Sequence, residues 1–206
     1  MFVPNKFNMQ EIADKHRFIA EFGFGVMISS EDNLSATHLP FVLQTDEGEQ
    51  GVLYAHCAKA NPHWKSIEAA KVLVIFSGPH SYISPSWYTT KPAVPTWNYA
   101  AVHAYGIASL LDPQETLKVV NQVVEKYEPQ LLIDQDIVTE PFKHQMLAAI
   151  VGFKIELTKL EGQLKLGQNR SKNDQAGIYD ALNRSSSYED LALAKYMQKL
   201  GMSDLD

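Results

Sequence analysis

Apolar positions recur at every second residue through much of residues 22–111, and at every third or fourth residue on either side of that stretch. Residues 22–29 (FGFGVMIS), 34–43 (LSATHLPFVL), 51–56 (GVLYAH) and 71–76 (KVLVIF) read as strands. The turn-forming runs EDN (31–33) and TDEGEQG (45–51) separate them. Four short strands in about fifty residues leave little room for crossover helices, which implies antiparallel pairing. A fifth strand is expected at 99–111 (YAAVHAYGIASLL) and a sixth at 150–162 (IVGFKIELTKLEG). A helix is expected over 8–22, with Asn8 as N-cap, Glu11 in a capping-box relation, apolar Ile12, Ile19 and Phe22, and Gly23 as the stop. After Asp112 and Pro113, the stripe of Leu117, Val120, Val123, Val124 and Tyr127 predicts a helix that ends before Pro129. Further helices are expected at 140–150, with Pro141 in the first turn, and at 174–182 and 188–200 around NRSSS. The pattern therefore predicts a mainly β, α+β fold: six antiparallel strands forming a small closed or split barrel, since closure removes exposed edges.

Between the fourth and fifth strands, residues 77–99 (SGPHSYISPSWYTTKPAVPTWNY) hold four of the ten prolines, two of the three tryptophans and three of the nine tyrosines. Proline fixes φ and removes an N–H, so such a segment is rigid and irregular, and little ordering cost remains when a ligand docks. Its aromatic rings suit stacking on a planar ring. Composition leaves two readings: a crossover loop whose aromatics seal the end of a β-core, or the wall of a ligand cleft.

The chain of 206 residues, 45% hydrophobic and 20% charged, suits one domain with appendages. A formal charge of −6 argues against a broad electrostatic footprint for nucleic acid or an anionic membrane, so direct DNA binding would need a local basic patch. The two C-terminal helices invite a helix-turn-helix reading, but the second begins with Glu189 and Asp190, where a recognition helix meets phosphates. The single Cys57 excludes an internal disulfide and fits a reducing compartment. The start MFVPNKFNMQ lacks an apolar h-region, and no run of about 18 apolar residues occurs, so a cytoplasmic, non-membrane protein is expected.

Candidate chemistry gathers in a few segments. In HCAKANPHWK (56–65), Asn61 as N-cap and Pro62 at the first helical position outline an anion site with Lys59 or Lys65 supplying charge; the alternative is a capped helix with solvated lysines. Five of the seven histidines fall between His38 and His103, but without HExxH or HxH spacing they predict no metal site. His38, His56 and His103 sit in expected strands, either half-buried and hydrogen-bonded or facing a ligand cleft. Ser81, Ser84 and Ser86 lie near His80 without a GxSxG elbow, and neither GxGxxG nor GxxxxGK[ST] occurs. In KLGQNR (165–170), two amides and an arginine can hold a phosphate, a carbonyl-rich ring or a neighbouring subunit, or can form a polar turn.

Taken together, ATHLP (36–40), HCAKANPHW (56–64), GPHSYISPSWY (78–88), VPTWNYAAVHAYG (94–106) and KLGQNR stand in the order and spacing of one family. The chain resembles the PaiB family, FMN-binding proteins of the flavin split-barrel superfamily often labelled negative transcriptional regulators. The resemblance runs from VPNKF at the N-terminus to about Arg170 and continues more loosely beyond, implying a split-barrel domain over 1–170 with a helical appendage over 171–206. It implies a homodimer with FMN in clefts at the interface. Phosphate contacts would fall on Lys59, Asn61 and their neighbours; Thr37 and His38 would lie along the flavin, and His56 would be a further cofactor contact. Thr96, Trp97 and Asn98 would contact the ring or ribityl chain, with Ser84 beside them, and Gln168 and Arg170 would approach from the far strand or the other subunit. Gly167 departs from the family, which usually has Ser there. The resemblance leaves open an FMN-dependent oxidoreductase, a flavin-sensing or non-enzymatic regulator, and, third, haem binding or degradation.

Overall fold

One residue, Phe41, accounts for the main difference between the expected and the observed strands. The structure, a computed structural model, describes residues 1–31, 33–134 and 137–202; Asp32 of the EDN turn and residues 203–206 lie outside them. Among the described residues seven strands form one sheet: β1 (Phe24–Ser29), β2 (Ser35–Pro40), β3 (Val42–Gln44), β4 (Val52–Ala58), β5 (Lys71–Ile83), β6 (Thr96–Leu110) and β7 (Ile150–Lys165). Their order is β2-β1-β5-β6-β7-β4-β3. The expected single strand at 34–43 is two strands, so the sheet has seven rather than six. Pro40 has no N–H to offer a ladder, and the Phe41 N–H turns to the Gly23 carbonyl at 2.8 Å. The ladder is open, because β2 and β3 end it on opposite sides without pairing to each other. Those two edge strands are nevertheless joined through Phe41 alone, which keeps the ends of the ladder within about 7 Å of each other at that point.

The pairings β1–β2, β1–β5, β3–β4 and β4–β7 are antiparallel, as the short connections imply. A second correction concerns the proline-rich segment: residues 77–83 extend β5 and 96–99 begin β6, which leaves 84–95 as its irregular part. Pairing of β5 with β1 ends at Gly25↔Phe76, so Pro79 lies beyond the β1 ladder.

The helices are α1 (Ile12–Glu21), α2 (Pro113–Tyr127), α3 (Glu140–Leu147), α4 (Lys172–Asn183) and α5 (Tyr188–Lys199). The N-cap of helix α1 lies three residues later than expected, at Glu11 and without a side-chain bond, because Asn8 bridges to Gln163 and the Met9 N–H donates to the Gly162 carbonyl. Helix α2 has the full capping box: Asp112 Oδ1 accepts from the Glu115 N–H at 2.8 Å, and Glu115 Oε2 accepts from the Asp112 N–H at 3.2 Å.

The chain divides into two compact units. One consists of Glu11–Phe76 and Val102–Glu161, with Ile19, Phe41, Leu53, Phe76, Phe153 and Ile155 fully enclosed. The other consists of Met1–Gln10, Ser77–Ala101 and Gly162–Asp206, and its core includes Ile83, Leu166, Ile178, Leu182, Leu193 and Met197.

Candidate functional site

In the larger unit, β1, β2 and the turn after β4 bring four polar side chains into one chain of hydrogen bonds. The turn is a single 3-10 helix, Pro62–Ser66, and Pro62 starts it with the φ it already prefers. Asn61 Oδ1 accepts from the His63 N–H at 3.0 Å, and Asn61 Nδ2 donates to Thr37 Oγ1 at 3.2 Å. The buried His63 ring bridges two hydroxyls, with Nδ1 2.8 Å from Thr37 Oγ1 and Nε2 2.8 Å from Ser29 Oγ. Burial lowers the His63 pKa below the ordinary imidazole value. Thr37 and Asn61 were expected at the site from their motifs. His63 and Ser29 were not, although His63 stands inside HCAKANPHW; a histidine directly after an N-cap and Pro was the available signal.

The anion site in outline is modified by this turn. The helix has five residues, and Asn61 already occupies the His63 N–H, so little helix dipole remains for an anion. The backbone of Lys59 is fastened on both sides, its N–H donating to the Ala149 carbonyl at 2.8 Å and its carbonyl accepting from Trp64 Nε1 at 3.0 Å. Its side chain is exposed beside a cleft of about 390 Å³ that Thr116 and His144 also line. Lys65 instead lies over the Trp64 ring, 5.9 Å from the centroid, which leaves Lys59 as the better-placed cation.

The three strand histidines differ. His38 is exposed and stacks against the exposed Phe24, centroids 6.2 Å apart. His56, opposite Gly152 in the β4–β7 ladder, and His103 on β6 each carry a buried Nδ1 that has no hydrogen-bond partner, and burial lowers both pKa values. Tyr105, two residues beyond His103, donates to Glu161 Oε2 at 3.0 Å, and Lys159 bridges to the same carboxylate at 2.7 Å. That lysine is the first cause holding Glu161 down at about 2.

The other unit holds the remaining candidates. Asn98 is buried, and its Nδ2 lacks a partner. Thr96 Oγ1 accepts from Lys165 Nζ at 2.7 Å. Trp97 is half exposed and groups with His80 and Tyr82, at centroid distances of 6.2 and 6.3 Å, beside a cleft of about 310 Å³. Three expected contacts are engaged in local structure. Ser84 caps the Pro85–Trp87 turn by accepting from the Ser86 N–H at 3.2 Å. Gln168 folds onto its own loop, accepting from the Leu166 N–H at 2.8 Å and donating to the Leu164 carbonyl. Arg170 lies over the Tyr88 ring, 4.4 Å from its centroid. Gly167 has φ +83°, a conformation that suits glycine better than the usual serine.

Asp174 on α4 anchors the irregular part of the proline-rich segment. Its Oδ1 accepts from the Thr90 N–H at 2.9 Å, the Thr89 N–H at 2.8 Å and Thr89 Oγ1 at 2.9 Å. The Thr90 backbone bond leads the causes that hold this carboxyl well below the usual range. A carboxylate whose pKa is depressed by folding stabilises above the unfolded value of about 4, and that contribution is lost as pH falls below it. Asp174→Ala should therefore lower the thermal midpoint by several degrees at pH 7 and by less at pH 3, read by circular dichroism. Equal losses at both pH values would remove the anchor from the account.

At the start of α5, Ser81 donates to Asp190 Oδ1, Ser185 donates to Oδ2 at 2.6 Å, and Ser187 donates to Glu189 at 2.8 Å. The end of α5 that would approach DNA is thus acidic and hydrogen-bonded to its own unit. Among the described residues no helix is long and apolar enough to cross a membrane.

Residues 1–159 match the family described as "Putative FMN-binding domain". Over 204 residues the chain is 34% identical to the Protease synthase and sporulation protein PAI 2 of Bacillus subtilis, covering 96% of this chain and 97% of that protein. Among solved structures it is similar to the flavocytochrome Anf3 of Azotobacter vinelandii (TM-score 0.62, 13% identity, 79% of this chain and 72% of that one). It is also similar to the FAD and Heme binding protein of Mycobacterium smegmatis (TM-score 0.60, 10% identity, 77% and 73%). At those identities the two structures speak for the fold alone. The motif order, the mixed sheet-and-helix fold and the match over residues 1–159 agree: this chain belongs to the FMN-binding domain family and is of the PaiB type.

Proposed function

We propose that the protein is a cytoplasmic homodimer of split β-barrels that binds FMN through the residues described above. The observation that carries this reading lies in the larger unit: the hydrogen-bonded set of Ser29, Thr37, Asn61 and His63, and the partnerless buried Nδ1 atoms of His56 and His103, which fall within the motif blocks that imply FMN. A buried polar atom without a partner costs roughly 1–3 kcal/mol, and a ligand rich in carbonyls and ring nitrogens can satisfy it. The donor set therefore fits the group. In the larger unit Thr37, His38 and His56 would hold the ring side; Thr96, Trp97 and Asn98, in the other unit, are candidates by motif order alone. Lys59 and Asn61 would hold the phosphate. Gln168, Arg170 and Ser84, each engaged within the other unit, are likewise candidates by motif order alone.

When bound, FMN supplies hydride and single-electron chemistry; the chain's residues bind, orient and shield it. The direct-repressor reading is weaker, because the net charge is −6 and the leading end of α5 is acidic.

Titration of FMN with the purified protein should quench flavin fluorescence to a stoichiometric endpoint, and sedimentation should give the mass of two chains. Unchanged fluorescence would remove the cofactor assignment. Lys59→Ala should weaken FMN by ~1.5–3 kcal/mol, roughly 10- to 150-fold, if the lysine makes a charge-assisted phosphate contact. Unchanged affinity would move the phosphate elsewhere.

A further inference from the structure

The bonds around Thr37 leave its hydroxyl only one outward valence, and the partner that controls the sign of that valence is His63. A backbone N–H can only donate, so the bond from the His63 N–H fixes Asn61 Oδ1 in place and turns Asn61 Nδ2 toward Thr37. Thr37 Oγ1 therefore accepts from Asn61, which uses one of its two lone pairs. One lone pair and one proton remain, to be divided between His63 Nδ1 at 2.8 Å and whatever lies outside.

A neutral imidazole has one N–H and one bare nitrogen. If Nδ1 carries the proton, it donates to Thr37, and the hydroxyl donates outward. If Nδ1 is bare, it accepts the Thr37 proton, and the hydroxyl accepts outward. Ser29, 2.8 Å from Nε2, can serve either arrangement by rotating its own O–H. Thr37 is half-buried on the edge strand β2, so part of its surface is open to a ligand.

We propose that His63 is a positioning residue for the flavin, setting through Nδ1 whether the Thr37 hydroxyl acts toward the ligand as a donor or an acceptor. This rests on the reading of Thr37 as a flavin contact. One hydroxyl can then face either a ring nitrogen or carbonyl that accepts, or a ring N–H that donates, without moving its oxygen. His63 needs no contact with the ligand, and its burial keeps water from competing for Thr37 from behind.

The experiment is FMN titration by fluorescence on wild type, His63→Gln, His63→Asn, Thr37→Val and the double variant Thr37→Val/His63→Gln, each checked for folding by circular dichroism. An Asn amide at 63 can reach the position of Nδ1, whereas a Gln amide reaches that of Nε2. Losing one hydrogen bond to the ligand corresponds to roughly tenfold. His63→Gln and Thr37→Val should each weaken FMN about tenfold, His63→Asn should restore most of that affinity, and His63→Gln should add little in the Thr37→Val background. If Gln and Asn weaken binding alike, or if the His63→Gln loss persists undiminished once Thr37→Val has removed the hydroxyl, His63 is structural only and the proposal is overturned. Wild type that leaves FMN fluorescence unchanged overturns the flavin reading as well; wild-type binding with unaffected variants overturns this inference alone.

Discussion

Phe41→Ala should cost about 3–5 kcal/mol of unfolding free energy, a large share of the ~5–15 kcal/mol that holds a domain of ordinary stability. Phe41 is fully buried and meets Phe76 edge to face at 5.6 Å. Truncation removes a large apolar side chain and leaves a cavity that its neighbours can fill only in part. Phe41 is also the single residue between β2 and β3, so its ring fixes the place where the two edge strands adjoin. Urea unfolding should show a lower midpoint with little change in slope, the sign of lost stability with a similar unfolding surface. Phe41→Leu should recover more than half of the loss. A cost below about 1 kcal/mol for Phe41→Ala would mean that the corner is held by the backbone bond to Gly23 instead.

Local pattern made most elements legible. The capping box of α2 is complete within four residues, and the alternation in β1, β4 and β6 records which face is buried. The division of 34–43 was hidden because Pro40 and Phe41 keep the apolar alternation while the chain leaves one end of the ladder and enters the other. The extension of β5 was hidden for the opposite reason. Pro79 reads as a strand breaker, and only the register with β1, ending at Phe76, shows that it lies beyond the β1 ladder. At the candidate site, motif order picked out Thr37, Asn61, His56 and Asn98. It could not separate residues with open valences from those already engaged, because Gln168 and Ser84 bond to loops whose geometry is not encoded by residue type. His63 was missed because its two hydroxyl partners stand 34 and 26 residues away in sequence.

Gly106 closes one of the blocks that carry the family resemblance, and a glycine in such a block can serve either the ligand or the sheet. The geometry favours the sheet. A Cβ at this position would lie 2.3 Å from the Glu156 carbonyl oxygen and 2.6 Å from Ile155 Cγ2, well inside contact distance. The first of these is main chain on the neighbouring strand β7, so the clash cannot be relieved by a side-chain rotation. Gly106→Val should therefore destabilise by about 3 kcal/mol or more, at or beyond the upper end for overpacked cores, and Gly106→Ala should do so by a smaller but still large amount. The two roles separate when stability and ligand affinity are measured on the same variant. If the glycine serves the sheet, Gly106→Ala unfolds at lower urea while the folded protein binds FMN within about threefold of wild type, a difference of less than 1 kcal/mol. If it serves a close approach of the cofactor, affinity falls first and the urea midpoint stays where it was.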